Sequence, residues 1–269
     1  MEKNYCNNCG NYGHTYKLCR HPVLSYGIIL FNKDEDGLYR IVMVERKDSI
    51  SFIEFIRGKY KINNIEYLNL LFSRLSTNET LKLRDNNFET LWNKLWIHTE
   101  TINDRIKREY KRSLELFNHL KIREGNNLCD LIKNIKTDYL HNEWEIPKGR
   151  RKKHETNKEC AIREFNEETN IDTSMYRFFN NIIPLYEEYT GINNVKYKHI
   201  YYLAYSDTLY NLKIDQLNKD QYTEIKDIQW LTEEECLQLI RDHDITKRDL
   251  IKKLFTFLKN YETHINVIL

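Results

Sequence analysis

The chain of 269 residues has little glycine or proline, with 8 Gly and 3 Pro, and it contains no internal repeat or low-complexity linker. Its abundant Asn, Lys, Ile and Tyr indicate an AT-rich genome and do not indicate disorder. No apolar run approaches the ~20 residues of a membrane span. The first residues, MEKNYCNNCG, lack the apolar core of a secretory signal. We therefore expect a cytoplasmic protein without a membrane span.

A strong excess of one charge is also absent. Charged residues make up 30% of the chain, yet the formal net charge is only +2. This balance excludes a global positive field, so a nucleic-acid partner would have to be bound by local basic patches. The 41% hydrophobic content supports a buried core in one large domain or in a core domain with additions.

Three of the six cysteines lie close together near the amino terminus. The spacing Cys6-x2-Cys9-Gly10-x2-Gly13-His14-x4-Cys19 matches the CCHC zinc knuckle, including both glycines. Three thiolates and one imidazole form a closed tetrahedral set, which predicts structural zinc. The remaining cysteines are scattered, and we interpret them as small apolar residues in a reducing compartment: Cys129, Cys160 and Cys236.

The hydrophobic pattern divides the chain into four regions. Two strands at 25–31 and 39–46 are followed by a Pro-free segment with apolar residues at helical spacing, which contains the capping pair Ser76 and Glu79. Strand and helix patterns resume after Trp144, and the pair Thr232 and Glu235 opens a late helix. The predicted regions are a knuckle at 1–22, the first part of an α/β core at 23–49, a helical insertion at 50–138 and the rest of the core at 139–269.

Residues 149–171, GRRKKHETNKECAIREFNEETNI, predict a helix over about 155–169 with glutamates on one face. Glu164, Glu167 and Glu168 are spaced i, i+3, i+4, so their carboxylates lie side by side. Their repulsion is relieved by a hard divalent cation, Mg²⁺ or Mn²⁺, which in turn favours a phosphate substrate. A solvated acidic face is the alternative, but it does not explain the basic residues that lead into the helix.

The same segment resembles the Nudix box, G-x5-E-x7-R-E-U-x-E-E-x-G-U, where U is apolar. Gly149, Glu155 and the run from Arg163 to Ile171 match every defined position except one, because Asn170 replaces the final Gly. That Gly ends the helix in a left-handed conformation, and Asn is the next-best residue there. The resemblance implies a Nudix α/β/α sandwich, here with an inserted helical block and an amino-terminal zinc knuckle.

The resemblance also implies roles for the matching residues. Glu164, Glu167 and Glu168 would bind Mg²⁺ or Mn²⁺, one of them polarising the attacking water, and the Gly149 carbonyl would complete a metal site. Arg163 would orient a glutamate by ion pairing. Glu155 would have a supporting structural or metal-binding role.

Many Nudix enzymes add a carboxylate from a loop ahead of a late strand. Glu224, in QYTEIKDIQW, is our choice as this further catalytic residue, with Asp227 and Glu188 as weaker options. For each of them an ordinary solvent-exposed acid is an equal interpretation.

The segment WEIPKGRR, residues 144–151, resembles the W-x-x-P-K-G-K/R segment of eukaryotic mRNA-decapping Nudix enzymes. Lys148, Arg150 and Arg151 would then bind substrate phosphates. A generic surface role is the alternative for Lys148.

Two further features suit an RNA body. Zinc knuckles bind single-stranded RNA with aromatic and basic side chains, although others only cap a domain or bind protein. The candidates in the knuckle are Tyr12, Tyr16, Lys17 and Arg20. A basic stripe in the insertion could follow a phosphate backbone or could be a solvated face: Arg105, Lys107, Arg108, Lys111 and Arg112.

A Nudix core with an inserted helical block and a P-K-G-R segment is similar to the mRNA-decapping enzymes of large cytoplasmic DNA viruses. The resemblance implies a metal-dependent pyrophosphohydrolase that removes the 5′ cap of mRNA and releases 7-methyl-GDP and 5′-monophosphate RNA. The alternatives are hydrolysis of diphosphoinositol polyphosphates or other nucleoside diphosphate derivatives, and a non-catalytic RNA-binding protein.

Overall fold

The structure is a computed structural model that describes residues 4–96, 103–135 and 139–260. Four parts of the predicted regions lie outside the described residues: 1–3 of the knuckle, 97–102 and 136–138 of the insertion, and 261–269 of the core. The chain divides into two compact units, Met1–Glu45 with Glu143–Leu269, and Arg46–Asn142. The four-part division expected from the sequence stays a prediction.

Strands and helices are numbered in chain order. The strands are β1 Val23–Lys33, β2 Tyr39–Arg46, β3 Trp144–Glu145, β4 Lys148–Gly149, β5 Arg177–Phe178, β6 Leu185–Thr190, β7 Lys196–Tyr205 and β8 Ile225–Leu231. The helices are α1 Ile50–Ile56, α2 Ile65–Ser73, α3 Thr77–Asp85, α4 Phe88–Leu95, α5 Asp104–Ile122, α6 Leu128–Lys133, α7 Asn157–Thr169, α8 Lys219–Glu224, α9 Glu233–Leu239 and α10 Ile245–Asn260.

The first unit is built on a mixed sheet with the path β3-β2-β1-β7-β5, to which β4, β6 and β8 add at β1, β7 and β2. Strands β1 and β7 pair in parallel from Val23 with Tyr197 to Phe31 with Tyr205. The β1–β2 and β6–β7 pairs are antiparallel. Because a strand turns alternate side chains to opposite faces, apolar strands such as β1 supply two cores at once.

Each face of the sheet is covered by helix. Ile29 and Phe31 of β1 belong to the core that contains Leu254 and Phe255 of α10. Ile28 and Leu30 belong to the opposite core, with apolar residues of α7. Helix lies on both sides of the sheet, so the predicted α/β/α sandwich is confirmed.

The capping predictions are confirmed at α3 and α9. Ser76 with Glu79 and Thr232 with Glu235 each form a capping box, in which the side chain of each residue accepts a hydrogen bond from the backbone N–H of the other. The Nudix helix α7 begins at Asn157, two residues later than predicted. The helix begins at this later residue because Thr156 is the N-cap and accepts a hydrogen bond from the Glu159 N–H.

The second unit is helical in its described residues and has its own apolar interior. Phe55 of α1 stacks on Tyr60, with ring centres 5.3 Å apart, and meets Phe72 of α2 edge-on at 4.9 Å. Aromatic side chains bury a large apolar area, and such ring pairs add about 0.5–1.5 kcal/mol beyond it. None of the helices in the described ranges combines the length and the apolar character needed to cross a membrane.

The scattered cysteines behave differently from one another. Cys160 and Cys236 are buried, as the small-apolar interpretation requires, but Cys129 is exposed. The interpretation is wrong for Cys129 because its neighbours Leu128 and Leu131 occupy the buried face of α6.

Candidate active site

Helix α7 carries the predicted metal-binding glutamates, and its apolar side fixes their direction. Ala161 and Phe165 are fully buried in the core against the sheet. The helix ends at Asn170, which has φ 60° and ψ 20°. This left-handed conformation confirms the expectation that Asn replaces the helix-ending Gly of the Nudix box.

Glu164 packs against the backbone of Gly149. A Cβ atom added to Gly149 would lie 2.1 Å from Cδ of Glu164, so no other residue type fits at position 149 while Glu164 keeps this position. Burial raises the pKa of Glu164; Arg163 opposes this effect, and the charges of Glu167 and Glu224 add to it. A buried carboxylate with acidic neighbours is stabilised by added positive charge.

Arg163 holds three glutamates together. Its guanidinium contacts Glu155 through Nε at 2.7 Å and Nη2 at 3.0 Å, and Nη1 lies 2.8 Å from both Glu164 and Glu167. Burial alone lowers the pKa of Arg163, but the hydrogen bonds with Glu155 and Glu164 raise it overall. The predicted orienting residue thus contacts several glutamates, and Glu155 serves as its bidentate partner.

Glu168 is the most deeply buried of the three glutamates, with 5% of the residue exposed. One carboxylate oxygen accepts the Lys148 backbone N–H at 3.0 Å. Burial raises its pKa well above the ordinary value; Glu145, Glu224 and Glu164 raise it further, while the Lys148 charge opposes them. Glu168 therefore shares an acidic environment with Glu164 and Glu224.

Glu167 is more open than Glu168, since 25% of its side chain is exposed. Besides Arg163, it contacts Nζ of Lys152 at 3.0 Å. In the described part of the chain, the three glutamates do not form a group whose ligand oxygens all lie within 4.8 Å of one another. The three glutamates lie on one side of α7, but they form ion pairs or hydrogen bonds with different cationic or backbone groups.

The predicted fourth carboxylate, Glu224, is the exposed last residue of α8, directly before β8. Its charge raises the pKa of both Glu164 and Glu168, and its catalytic role stays a prediction. The weaker options have other partners. Asp227 accepts a hydrogen bond from Gln229 at 2.6 Å, and Glu188 pairs with Lys198 at 3.4 Å.

The three predicted phosphate-binding cations are placed differently. Nζ of Lys148 lies 2.5 Å from Glu145, and only 9% of its side chain is exposed. Arg151 turns its guanidinium to the backbone oxygen of Asn8, at 2.8 Å. Arg150 is exposed. In this structure Arg150 alone of these three cations has an exposed side chain.

Two side chains near the glutamates were not predicted. Glu145 is a buried ion-pair partner of Lys148. Gln221 is fully buried and donates from Nε2 to the backbone oxygen of Glu168 at 3.1 Å. No local pattern indicates Gln221, and the i, i+3 spacing of Glu145 and Lys148 predicts pairing only on a helix, whereas these residues lie in the short strands β3 and β4.

The oxygen atoms around Glu164 and Glu168 are a donor set suited to a hard divalent cation. The close fit of Glu164 onto Gly149 and the raised pKa values of Glu164 and Glu168 support this assignment, because a bound cation would offset the clustered negative charge. The site therefore offers carboxylates for a cation and nearby cationic groups for an anionic substrate.

The amino-terminal quartet forms a tighter cluster. The ligand atoms of Cys6, Cys9, His14 and Cys19 all lie within 4.8 Å of one another. Gly10 and Gly13 have φ of 80° and 105°, which only glycine adopts readily. Burial alone raises the pKa of Cys19, but hydrogen bonds with Asn8 and His14 lower it to about 6. This set of soft thiolates and an imidazole can hold a metal ion.

Comparison with known proteins identifies the family that the Nudix box predicts. The NUDIX domain matches residues 122–254. A candidate mRNA-decapping protein of Acanthamoeba polyphaga mimivirus is 29% identical over 98% of this chain and 96% of its own length. The mRNA-decapping protein g5R of African swine fever virus (isolate Pig/Kenya/KEN-50/1950) is 30% identical over 82% of this chain and 89% of its own.

Among solved structures, a C. elegans Ap4A hydrolase binary complex has a TM-score of 0.45 and 11% identity, covering 88% of this chain and 98% of that one. The NUDIX domain match includes the whole of α7 with its glutamates. The g5R protein is similar along most of both chains. The domain match and the similarity to g5R show that the chain belongs to the Nudix family.

Proposed function

We propose that this protein is a metal-dependent Nudix hydrolase that removes the 5′ cap of mRNA in the cytoplasm. One observation carries the proposal: Glu164 packs against the Gly149 backbone and Glu168 accepts the N–H of the adjacent Lys148, so two carboxylates of α7 meet consecutive residues of β4. The similarity to viral mRNA-decapping proteins along most of the chain supports capped mRNA as the substrate.

Glu164, Glu167 and Glu168 would hold Mg²⁺ or Mn²⁺, with the Gly149 carbonyl available as a further oxygen ligand. A cation held by these residues would supply positive charge that offsets the charge on the phosphate chain and on the leaving diphosphate. One of these glutamates polarises the water that attacks a phosphorus of the triphosphate bridge. The P–O bond between that phosphorus and the leaving diphosphate would break, which releases 7-methyl-GDP, and the oxygen of the water would stay on the 5′-monophosphate of the RNA.

The other residues of the site position these groups. Arg163 keeps Glu155, Glu164 and Glu167 around one guanidinium, which fixes their positions along α7. Exposed Arg150 is available to the phosphates. The side chain of Lys148 forms a buried ion pair with Glu145, and its backbone N–H donates to the carboxylate of Glu168. Glu224 is the further carboxylate near Glu164 and Glu168.

We assign structural zinc to Cys6, Cys9, His14 and Cys19, because their ligand atoms are close enough for one tetrahedral ion. The RNA body would be bound next to this knuckle. Tyr12 and Tyr16 are each 58% exposed and can stack on bases, and Lys17 and Arg20 are exposed beside them.

The helical unit supplies a second RNA surface in this proposal. Helix α5 exposes five cations along its first three turns, which suits a phosphate backbone. They are Arg105, Lys107, Arg108, Lys111 and Arg112.

The decisive experiment uses RNA labelled in its cap, incubated with the protein and Mg²⁺ or Mn²⁺, and identifies the released nucleotide. Release of 7-methyl-GDP with 5′-monophosphate RNA supports the proposal. Faster turnover of a diphosphoinositol polyphosphate than of capped RNA would contradict it in favour of a small-molecule hydrolase. RNA binding without metal-dependent phosphate release would identify a non-catalytic protein.

A further inference from the structure

The Arg151 side chain fits onto the metal-binding loop of the knuckle. Nη2 donates to the Asn8 backbone oxygen at 2.8 Å, and Cζ lies 5.7 Å from the centre of the Tyr26 ring. A Cβ atom on Gly10 would lie 2.4 Å from Nη1 of Arg151. The knuckle and the guanidinium are therefore in contact, with no space for a side chain at position 10.

A second contact joins the same parts of the chain. The ring centres of Tyr5 and His154 are 4.9 Å apart, and Tyr5 is joined to Tyr12 by a β-bridge within the knuckle. His154 has φ 64°, an unusual conformation for a residue other than glycine. Residues 150–156, here named the lead-in loop, thus contact the knuckle at both Arg151 and His154.

The lead-in loop also forms hydrogen bonds with Arg163 and Glu155 of the Nudix box. Nη2 of Arg163 donates to the backbone oxygen of Arg150 at 3.0 Å. The N–H of Lys152 donates to Glu155 at 2.8 Å, and Glu155 is the bidentate partner of Arg163. The guanidinium that holds Glu164 and Glu167 therefore also holds the loop that the knuckle contacts.

The position of the Asn8 carbonyl depends on the metal-binding quartet. Asn8 lies between Cys6 and Cys9, and its side chain donates to Sγ of Cys19 at 3.3 Å and to the Pro22 oxygen at 2.8 Å. Many small metal-binding modules fold only when their ligands are bound to the ion. Loss of the ion would therefore displace the carbonyl that Arg151 contacts.

We propose that the knuckle orders the lead-in loop through Arg151, which is a positioning residue and not a phosphate ligand. This inference rests on the proposed zinc site and goes beyond a role for the knuckle in RNA binding. Zinc at the knuckle favours the ordered loop, and the ordered loop favours zinc, because coupling between two sites is reciprocal. Turnover then depends on the knuckle even for substrates too short to reach it.

Hydrogen exchange of the full-length protein tests the coupling without any substrate. In Cys9→Ser and in Arg151→Ala we expect amides of the lead-in loop to exchange about tenfold faster than in the parent protein. Exchange in α10 should stay unchanged, which separates loop release from general unfolding. Unchanged exchange of the lead-in loop in Cys9→Ser would overturn the proposal.

Zinc affinity provides a second readout, measured by competition between the protein and a chromogenic chelator for Zn²⁺. Arg151→Ala should weaken Zn²⁺ binding about fivefold or more. Arg151→Lys should restore part of the loss, because a lysine retains the charge and one donor. The matched control is Lys153→Ala, which removes an exposed cation from the same loop and should keep the parent affinity. Equal affinity of Arg151→Ala and the parent would contradict the coupling.

Kinetics on a capped dinucleotide, which lacks an RNA body, separate the two roles of Arg151. A positioning role predicts that Cys9→Ser and Arg151→Ala both lower kcat and that the double variant is no slower than the slower single one. A phosphate ligand would instead give a higher KM in Arg151→Ala alone, which would overturn the proposal. If the parent protein does not cleave the cap, the proposed function is wrong. Hydrogen exchange of the lead-in loop and Zn²⁺ affinity would still test the coupling between the knuckle and the loop.

Discussion

At the residue scale, the active site depends on close approaches that a single added atom would prevent. Gly149 belongs to β4, which pairs with Tyr26 and Gly27 of β1, so its backbone cannot move away from α7 without breaking the sheet. Glu164 fills the space that a side chain at position 149 would need. A side chain at position 149 would therefore displace the carboxylate of Glu164, so replacement of Gly149 should affect activity more than stability.

Gly149→Ala should therefore lower cap release at least about a hundredfold, because displacement of a reacting group by about 1 Å can have an effect of that size. The accompanying loss of stability should be smaller than the about 1–3 kcal/mol of an overpacked core, because only the flexible end of the Glu164 side chain must move. Metal-dependent turnover and thermal unfolding measure the two effects. Wild-type turnover in the variant would show that Glu164 does not need its present position.

Glu167→Gln should lower cap release at least about a hundredfold, while RNA affinity stays nearly unchanged. The amide keeps the size of the side chain but removes the charge that Arg163 and Lys152 contact. Single-turnover cleavage and RNA binding, measured on the same preparation, test both parts. Retained turnover would refute the assignment of Glu167 to the catalytic metal site.

At the scale of elements, the β6–β7 pair places a charged pair inside the first unit. The register aligns Glu187 with His199, and Nδ1 of His199 lies 2.9 Å from the carboxylate, which also accepts from the Tyr201 hydroxyl at 2.9 Å. Burial alone raises the pKa of Glu187, but His199 and the charge of Lys247 from α10 lower it to about 2. Burial lowers the pKa of His199 although Glu187 opposes this effect, so a neutral ring that donates from Nδ1 fits the geometry.

These shifts predict an acid-sensitive fold. A depressed pKa stabilises the folded state above the unfolded pKa, and this stability is lost as the pH falls through the folded value. The His199 contribution should decline as the pH falls below 6.5, and the Glu187 contribution should decline between about 4.5 and 2. The Glu187 shift corresponds to about 3 kcal/mol of unfolding free energy.

Denaturant unfolding between pH 8 and pH 3 measures this dependence, with Glu187→Gln as the test variant. The variant should be less stable than the parent at pH 7, and the difference should shrink as the pH falls below about 4.5. A constant difference across this pH range would contradict the low pKa of Glu187. Glu188→Gln, one residue away and exposed on the other face of β6, is the matched control.

At the scale of the whole molecule, the chain combines a sheet-based unit with a helical unit that interrupts it in sequence. The interruption follows β2, and the chain returns to the same sheet at β3, where Glu45 pairs with Trp144. The match to the NUDIX domain begins at residue 122, so β1 and β2 lie outside it although they belong to the same sheet as β7. RNA binding, as proposed, draws on basic residues from both units.

Replacement of Arg108 and Arg112 in α5 by Ala should weaken RNA binding and reduce its salt dependence. Removing two phosphate contacts to single-stranded RNA should lower the slope of log K against log salt by about 1.4. Lys252→Ala with Lys253→Ala removes two exposed cations from α10 and serves as the matched control. Titrations at several salt concentrations measure both slopes, and equal slopes for the two double variants would exclude α5 from RNA binding.

The sequence alone determined the features that are encoded in neighbouring residues. The spacing of Glu164, Glu167 and Glu168 and the left-handed end of α7 at Asn170 follow from local geometry. The CCHC spacing likewise predicted a cluster, and the ligand atoms of the four side chains lie within 4.8 Å of one another. Only the tertiary structure decided which distant groups meet: β1 with β7 across the helical unit, Lys148 with its buried partner, and Arg151 with the Asn8 carbonyl. Periodicity and spacing act within an element, whereas these contacts depend on how separate elements pack, which no short segment specifies.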